Sequence, residues 1–248
     1  MSTERSKVPE VTLVFWVMKI LATTLGETGG DALSMSLKVG YLVSSGILLV
    51  IFVAAVYAQI AGREYNRFLY WATITASTTL GTTLADFADR SLGIGYAGGS
   101  ALLLALLGTS LFTWHRSLGT IDVESVATPR SESFYWVTIM FSQTLGTALG
   151  DWTADTTGLG YRGAALVFGV LLVLVACGYF WTRISRTALF WAAFVLTRPL
   201  GAVLGDFLDK PVNHGGLALS RFAASGVILG LIVVCLFALP QRAAKRAH

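Results

Sequence analysis

The pattern Trp-x8-Leu-Gly-x4-Asp occurs four times in these 248 residues: at Trp16, Leu25-Gly26 and Asp31; at Trp71, Leu80-Gly81 and Asp86; at Trp136, Leu145-Gly146 and Asp151; and at Trp191, Leu200-Gly201 and Asp206. A chain that repeats one unit at this length folds as an array of like supersecondary units. Each copy is followed by a looser element, Val39-Gly40-Tyr41, Gly93-Ile94-Gly95-Tyr96, Gly158-Leu159-Gly160-Tyr161 or Gly215-Gly216, and each of these opens an apolar run. The tryptophans stand 55, 65 and 55 residues apart, so a longer central segment joins two pairs of units.

Composition says what surrounds the array. Hydrophobic residues make up 54% of the chain and charged residues only 13%, where a soluble domain carries about 25% charge. The mean hydropathy is +0.68. A membrane helix needs roughly 20 apolar residues, and eight runs meet that length: 11–32, 37–60, 68–89, 94–114, 134–154, 162–182, 188–208 and 217–239. None alternates with the period of a strand, which sets a β-barrel aside. The expectation is an all-α integral membrane protein of eight transmembrane helices, built as four parallel two-helix repeats around a pseudo-fourfold axis. Within one membrane domain, 1–248, the repeats fall at 11–60, 68–114, 134–182 and 188–239, with a polar, flexible cytoplasmic linker at 115–133. Two helices per unit return the chain to its starting side, so the repeats run parallel rather than inverted. The polar start shows no cleavable signal peptide. Cys177 and Cys235 lie inside apolar runs in no metal or redox spacing and read as packing residues.

Lys and Arg set the orientation. Twelve of the eighteen basic residues, Arg5, Lys7, Lys19, Arg63, Arg67, Arg116, Arg130, Arg183, Arg186, Arg242, Lys245 and Arg246, fall on the side of the termini and the central linker, against six acids. That side is expected to be cytoplasmic. The net charge of +4 therefore reports orientation and gives no support to a nucleic-acid partner. The tryptophan of each motif is expected to anchor its helix at the membrane interface.

The other eight acids, Glu27, Asp31, Asp86, Asp89, Asp151, Asp155, Asp206 and Asp209, all belong to the repeated motif. They continue rows of hydroxyls at helical spacing: Thr24 before Glu27 and Asp31, Thr79 and Thr82 before Asp86 and Asp89, Thr144 and Thr147 before Asp151 and Asp155. Such stripes are costly against lipid and are expected to meet at the centre of a ring. Oxygen ligands suit hard divalent cations, whereas zinc and copper prefer His and Cys, and His214 is the one histidine near the motif. The reading is a metal-binding ring of Asp31, Asp86, Asp151 and Asp206, with Glu27, Asp89, Asp155 and Asp209 as an outer or gating shell. A proton is the other candidate. The plainer alternative is that these aspartates cap helices or bind Arg90, Arg162, Lys38 and Lys210, while Gly-x-x-x-Gly spacing packs the helices.

Unit four departs from the pattern with Arg198-Pro199 where the others have Thr23-Thr24, Thr78-Thr79 and Gln143-Thr144. Pro199 frees a carbonyl and is expected to kink the helix. Arg198 places a fixed cation in the span, and Glu27, the extra deep acid, is its expected partner in a pair that plugs or gates the axis.

Gly93-Ile94-Gly95-Tyr96-Ala97-Gly98 and Gly158-Leu159-Gly160-Tyr161-Arg162-Gly163 satisfy the dinucleotide fingerprint literally but follow no strand. The Gly-Asp pairs resemble aspartyl-protease dyads faintly, and four copies fit a ring better than a dyad. With no catalytic triad, phosphate loop or zinc motif, neither enzymatic activity nor a cofactor is expected.

The segments TTLGETGGD (23–31), TTLGTTLADFAD (78–89), QTLGTALGDWTAD (143–155) and RPLGAVLGDFLD (198–209) resemble a bacterial group of uncharacterised multi-pass membrane-anchored proteins, over nearly the whole chain. The resemblance implies a bacterial inner membrane, with both termini cytoplasmic by the charge rule, and no settled activity. Glu27-Thr28-Gly29-Gly30-Asp31 is distantly similar to the Glu-x-Gly-Asp motifs of manganese and calcium transporters, although units two to four lack the glutamate. The function expected is transport of a hard divalent cation, Mn2+ or Ca2+, with or without proton coupling. The partners are then the lipid bilayer and a small inorganic cation, with the oligomeric state open. A passive cation or proton channel and a non-transporting structural or sensory protein are the alternatives.

Overall fold

The computed structural model describes residues 6–244; Arg5, Lys245 and Arg246, counted above toward the orientation, lie outside them. Among the described residues the fold has eight α-helices: α1 (Leu13–Asp31), α2 (Tyr41–Ala61), α3 (Arg67–Asp86), α4 (Tyr96–Leu118), α5 (Pro129–Asp151), α6 (Gly160–Trp181), α7 (Arg186–Asp209) and α8 (Arg221–Ala238). Local chemistry starts the odd-numbered ones. The side chains of Thr12, Asn66, Thr128 and Ser185 accept from first-turn amides, and Thr128 with Ser131 forms a capping box inside which Pro129, the first helical residue, supplies a preset φ. The even-numbered α2 and α4 instead open on Gly40 and Gly95 at φ 81° and 77°, a left-handed backbone that glycine adopts without a Cβ penalty.

The odd helices form a closed inner ring, α1 on α3, α3 on α5, α5 on α7 and α7 on α1. Each even helix packs outside, against the odd helix of the next repeat: α2 on α3, α4 on α5, α6 on α7 and α8 on α1. Among the described residues five helices, α2, α4, α6, α7 and α8, are long and apolar enough to cross a membrane. The other three carry the threonine rows, and a helix jacketed by apolar neighbours has no need of an apolar surface of its own. Burial follows the same division, with 67% of the α7 span inside the protein against 17 to 28% for the four outer spans.

Two kinds of contact close the ring, and both pass from each repeat to the next. A Cβ built on Gly26 would overlap Thr78, one on Gly81 would crowd the backbone of Gln143, one on Gly146 would overlap Arg198, and one on Gly201 would overlap Thr23. The motif glycine is thus the notch into which the next helix fits, as small residues allow in close helix pairs. At the other end, Phe15 packs on Trp71 (5.6 Å between centroids), Tyr70 on Trp136 (5.8 Å), Tyr135 on Trp191 (6.4 Å) and Phe190 on Trp16 (5.8 Å). Tyr70 and Tyr135 also share a 2.6 Å hydroxyl hydrogen bond at the centre of this layer.

Three sequence expectations change here. Trp71, Trp136 and Trp191 are buried in the aromatic layer instead of lying at an interface, because each ring fills the space beside the aromatic that precedes the previous repeat's tryptophan. The segment between α4 and α5 is held in place rather than flexible. Val123 and Val126 are buried, Ser6 donates to both of their carbonyls, and Trp191 donates to the Ile121 carbonyl, so the segment caps the aromatic end together with the stretches around Pro9 and Ala243, which pair with each other. Lys19, counted among the cytoplasmic basic residues, is fully buried within the ring. Pro199 leaves α7 continuous from Arg186 to Asp209, its ring seated against Gly146.

Candidate functional site

The residue after each motif glycine points to the centre of the ring. In the first three repeats these are Glu27, Thr82 and Thr147, and Arg198 reaches all three from α7. Its guanidinium donates to Glu27 Oε2 through both terminal nitrogens at 3.1 Å, to Thr82 Oγ1 at 2.7 Å and to Thr147 Oγ1. Thr82 also donates to Glu27 Oε2 at 3.2 Å. Arg198 is 0% and Glu27 3% exposed, so this charge pair closes the centre of the ring. The Glu27 stem lies against Gly205, where a Cβ would collide with it.

Toward the aromatic layer lies a second buried cation that the charge count misplaced. Lys19 donates to Gln143 Oε1 at 3.2 Å and stands 4.0 Å above the Phe194 ring. Its position was legible, since Lys19, Thr23 and Glu27 follow one another at steps of four along one helix face.

Toward the opposite end the carboxylates gather. Glu27, Asp151 and Asp206 each offer an oxygen within 4.8 Å of the others, and so do Asp31, Asp206 and Asp209. Asp86, Asp89 and Asp155 stand outside both groups: Asp86 pairs with Arg90 at 2.9 Å, and Asp155 accepts from Tyr96 at 3.2 Å. The hydroxyl rows divide. Thr82 and Thr147 serve Arg198, while Thr24, Thr79 and Thr144 bond carbonyls of their own helices, those of Ile20, Thr75 and Met140.

Basic side chains lie among these acids with a twofold pattern. Four residues after the motif aspartate, the repeats carry Met35, Arg90, Asp155 and Lys210. Arg90 spans its own Asp86 and the next repeat's Asp151, at 2.9 and 3.9 Å. Lys210 spans its own Asp206 and the next repeat's Asp31, at 3.0 and 2.6 Å. Arg221, which the motif did not reveal because it opens α8, adds contacts to Asp209 at 2.8 Å and Asp31 at 3.6 Å. Of the other proposed basic partners, Arg162 stacks over Phe207 and Lys38 is exposed. Burial by itself would lower the pKa of the Lys210 ammonium, but Asp206, Asp31 and Asp209 outweigh that and raise it above the ordinary lysine value.

The backbone marks the same layer. Directly after Asp31, Asp86 and Asp151 the helices widen into π-helical turns, Ala32–Ser36, Phe87–Ser91 and Trp152–Thr156, while α7 ends at Asp209 with Pro211 close behind. Such turns recur at functional positions in helices.

The family model described as Repeat of Unknown Function (DUF347) matches residues 14–65, 69–120, 134–185 and 189–242. The chain belongs to this DUF347 repeat family. Each matched DUF347 repeat spans one inner helix and the outer helix that follows it. No curated protein and no solved structure matches the chain.

Proposed function

We propose that this DUF347 protein is an integral membrane protein of eight spanning helices with pseudo-fourfold symmetry, which moves a hard cation, Mn2+ or a similar divalent ion, along the centre of its inner ring. The observation that carries the reading is the convergence of Glu27, Asp31, Asp151, Asp206 and Asp209 on one end of a ring inside an apolar jacket. Ionisable groups are costly inside a membrane and are kept there mainly for pathways, relays and sensors. The bacterial inner membrane is the proposed location, with the aromatic end and both termini toward the cytoplasm.

Arg198 and the aromatic layer favour a gated transporter over a passive channel, because the centre is occupied by a side-chain cation and then by packed rings. An ion passing this point requires Arg198 to leave Glu27. One observation supports the structural alternative, namely that Asp31, Asp86, Asp151 and Asp206 each have a basic neighbour within 4 Å. Asp206→Asn in proteoliposomes separates the two. Loss of Mn2+ flux from a protein that still elutes as one folded species supports transport. Loss of the folded species, with flux retained by whatever remains, supports a structural role.

A further inference from the structure

The Asp31, Asp206 and Asp209 group has more acceptors than its neighbours satisfy. All three residues are at least nine-tenths buried, and Oδ1 of each lacks a hydrogen-bond partner. Lys210 Nζ lies 3.0 Å from Asp206 Oδ1 without the direction of a hydrogen bond, and its one hydrogen bond here goes to Asp31 Oδ2. Arg221 Nε donates to Asp209 Oδ2 at 2.8 Å, and another of its nitrogens donates to Ser36. Three carboxylates thus face two cations. A buried acceptor left without a partner is costly, and the Lys210 ammonium, 2.6 Å from Asp31 and 3.0 Å from Asp206, does not reach all three carboxylates.

A small dication does. It takes one oxygen from each carboxylate and completes about six ligands with water. We propose that Asp31, Asp206 and Asp209 form a divalent-cation site between the first and fourth repeats, and that the Lys210 ammonium is its tethered occupant, displaced when the ion binds. Lysine suits that part, being a compact charge on a flexible stem, whereas Arg90 at the corresponding place in the second repeat carries a planar, fork-shaped guanidinium. Gly216 holds the Lys210 backbone in place, since a Cβ there would overlap it. The proposal rests on the transport reading only for its choice of ion class.

The test is Mn2+ binding to the full-length detergent-purified protein, followed by the loss of the free-ion paramagnetic resonance signal. Removing one charge a few ångströms from the site is expected to tighten binding at least about tenfold in Lys210→Met, and Asp209→Asn added to that variant abolishes the gain. An unchanged affinity in a folded Lys210→Met, or no binding by either protein, overturns the site. A second measurement needs no variant: Mn2+ is expected to raise the reaction of Lys210 with an amine-modifying reagent in the wild-type chain, read by mass spectrometry, and unchanged reactivity contradicts displacement. Binding without flux in proteoliposomes leaves the site standing and removes the transport reading. Flux with no effect of Lys210→Met does the reverse.

Discussion

Arg198 and Glu27 meet 3.1 Å apart at the centre of the inner ring, between helices contributed by the fourth and first repeats. The pair is buried from solvent on both sides, so each charge depends on the other. Removing one partner of a buried pair typically costs about 3–5 kcal/mol, because the remaining charge is left uncompensated.

Arg198→Met and Glu27→Gln are therefore each expected to lower stability by about that amount, read as thermal unfolding in detergent. The double variant is expected to recover much of the loss. Additive losses would show that the two side chains act independently.

The motif glycines predict a steric contrast within a single helix. Gly26→Ala drives a methyl into Thr78, including its backbone, and overpacking of this kind costs about 1–3 kcal/mol. Gly29→Ala meets nothing within 4 Å and is expected to be neutral or to gain about 0.5–1 kcal/mol from the stiffer helix. Equal effects at the two positions would contradict the ring contact.

The same glycines show how far the sequence could be read. Trp-x8-Leu-Gly-x4-Asp gave four units, their helical character and the polar stripe, because each rests on spacing along one helix. Which helix fills the Gly26 notch depends on ring closure, and Thr78 carries no mark of it. Glu27 and Arg198 were legible as a pair because one is the extra deep acid of the four motifs and the other a fixed cation inside the fourth. Lys19 was misplaced because a count of basic residues near helix ends ignores the face on which they lie. The tryptophans and Val123 with Val126 were misjudged for a related reason: an aromatic at a helix end and a polar-looking linker look the same whether or not neighbouring repeats cover them. The π-helical turns after Asp31, Asp86 and Asp151 left no pattern in the residues that form them.

The aromatic layer gives a third prediction. Tyr70→Phe strands the buried Tyr135 hydroxyl, and Tyr135→Phe strands that of Tyr70, at about 1–3 kcal/mol each. Replacing both removes the two unpaired groups together and is expected to cost less than the sum. A fully additive pair in chemical or thermal unfolding would argue against the 2.6 Å contact.

Lys210→Met and Arg90→Met differ in what they release. The first frees Asp31 and Asp206, which share a carboxylate group with Asp209, and the second frees Asp86, which lies in neither group, and Asp151, which lies only in the group with Glu27. Mn2+ protection against thermal unfolding is expected to increase in Lys210→Met and to remain near the wild-type value in Arg90→Met. An equal increase in both would place the ion in a diffuse acidic layer instead of between the first and fourth repeats.

Whether a cation crosses the bilayer through this ring is decided by ion flux in proteoliposomes. Purified wild-type protein is reconstituted, and entry of Mn2+, Ca2+, K+ and protons is followed against protein-free vesicles. Mn2+ entry above that background is expected, and it is lost in folded Asp206→Asn. Vesicles that contain folded protein and admit none of the four ions would contradict it.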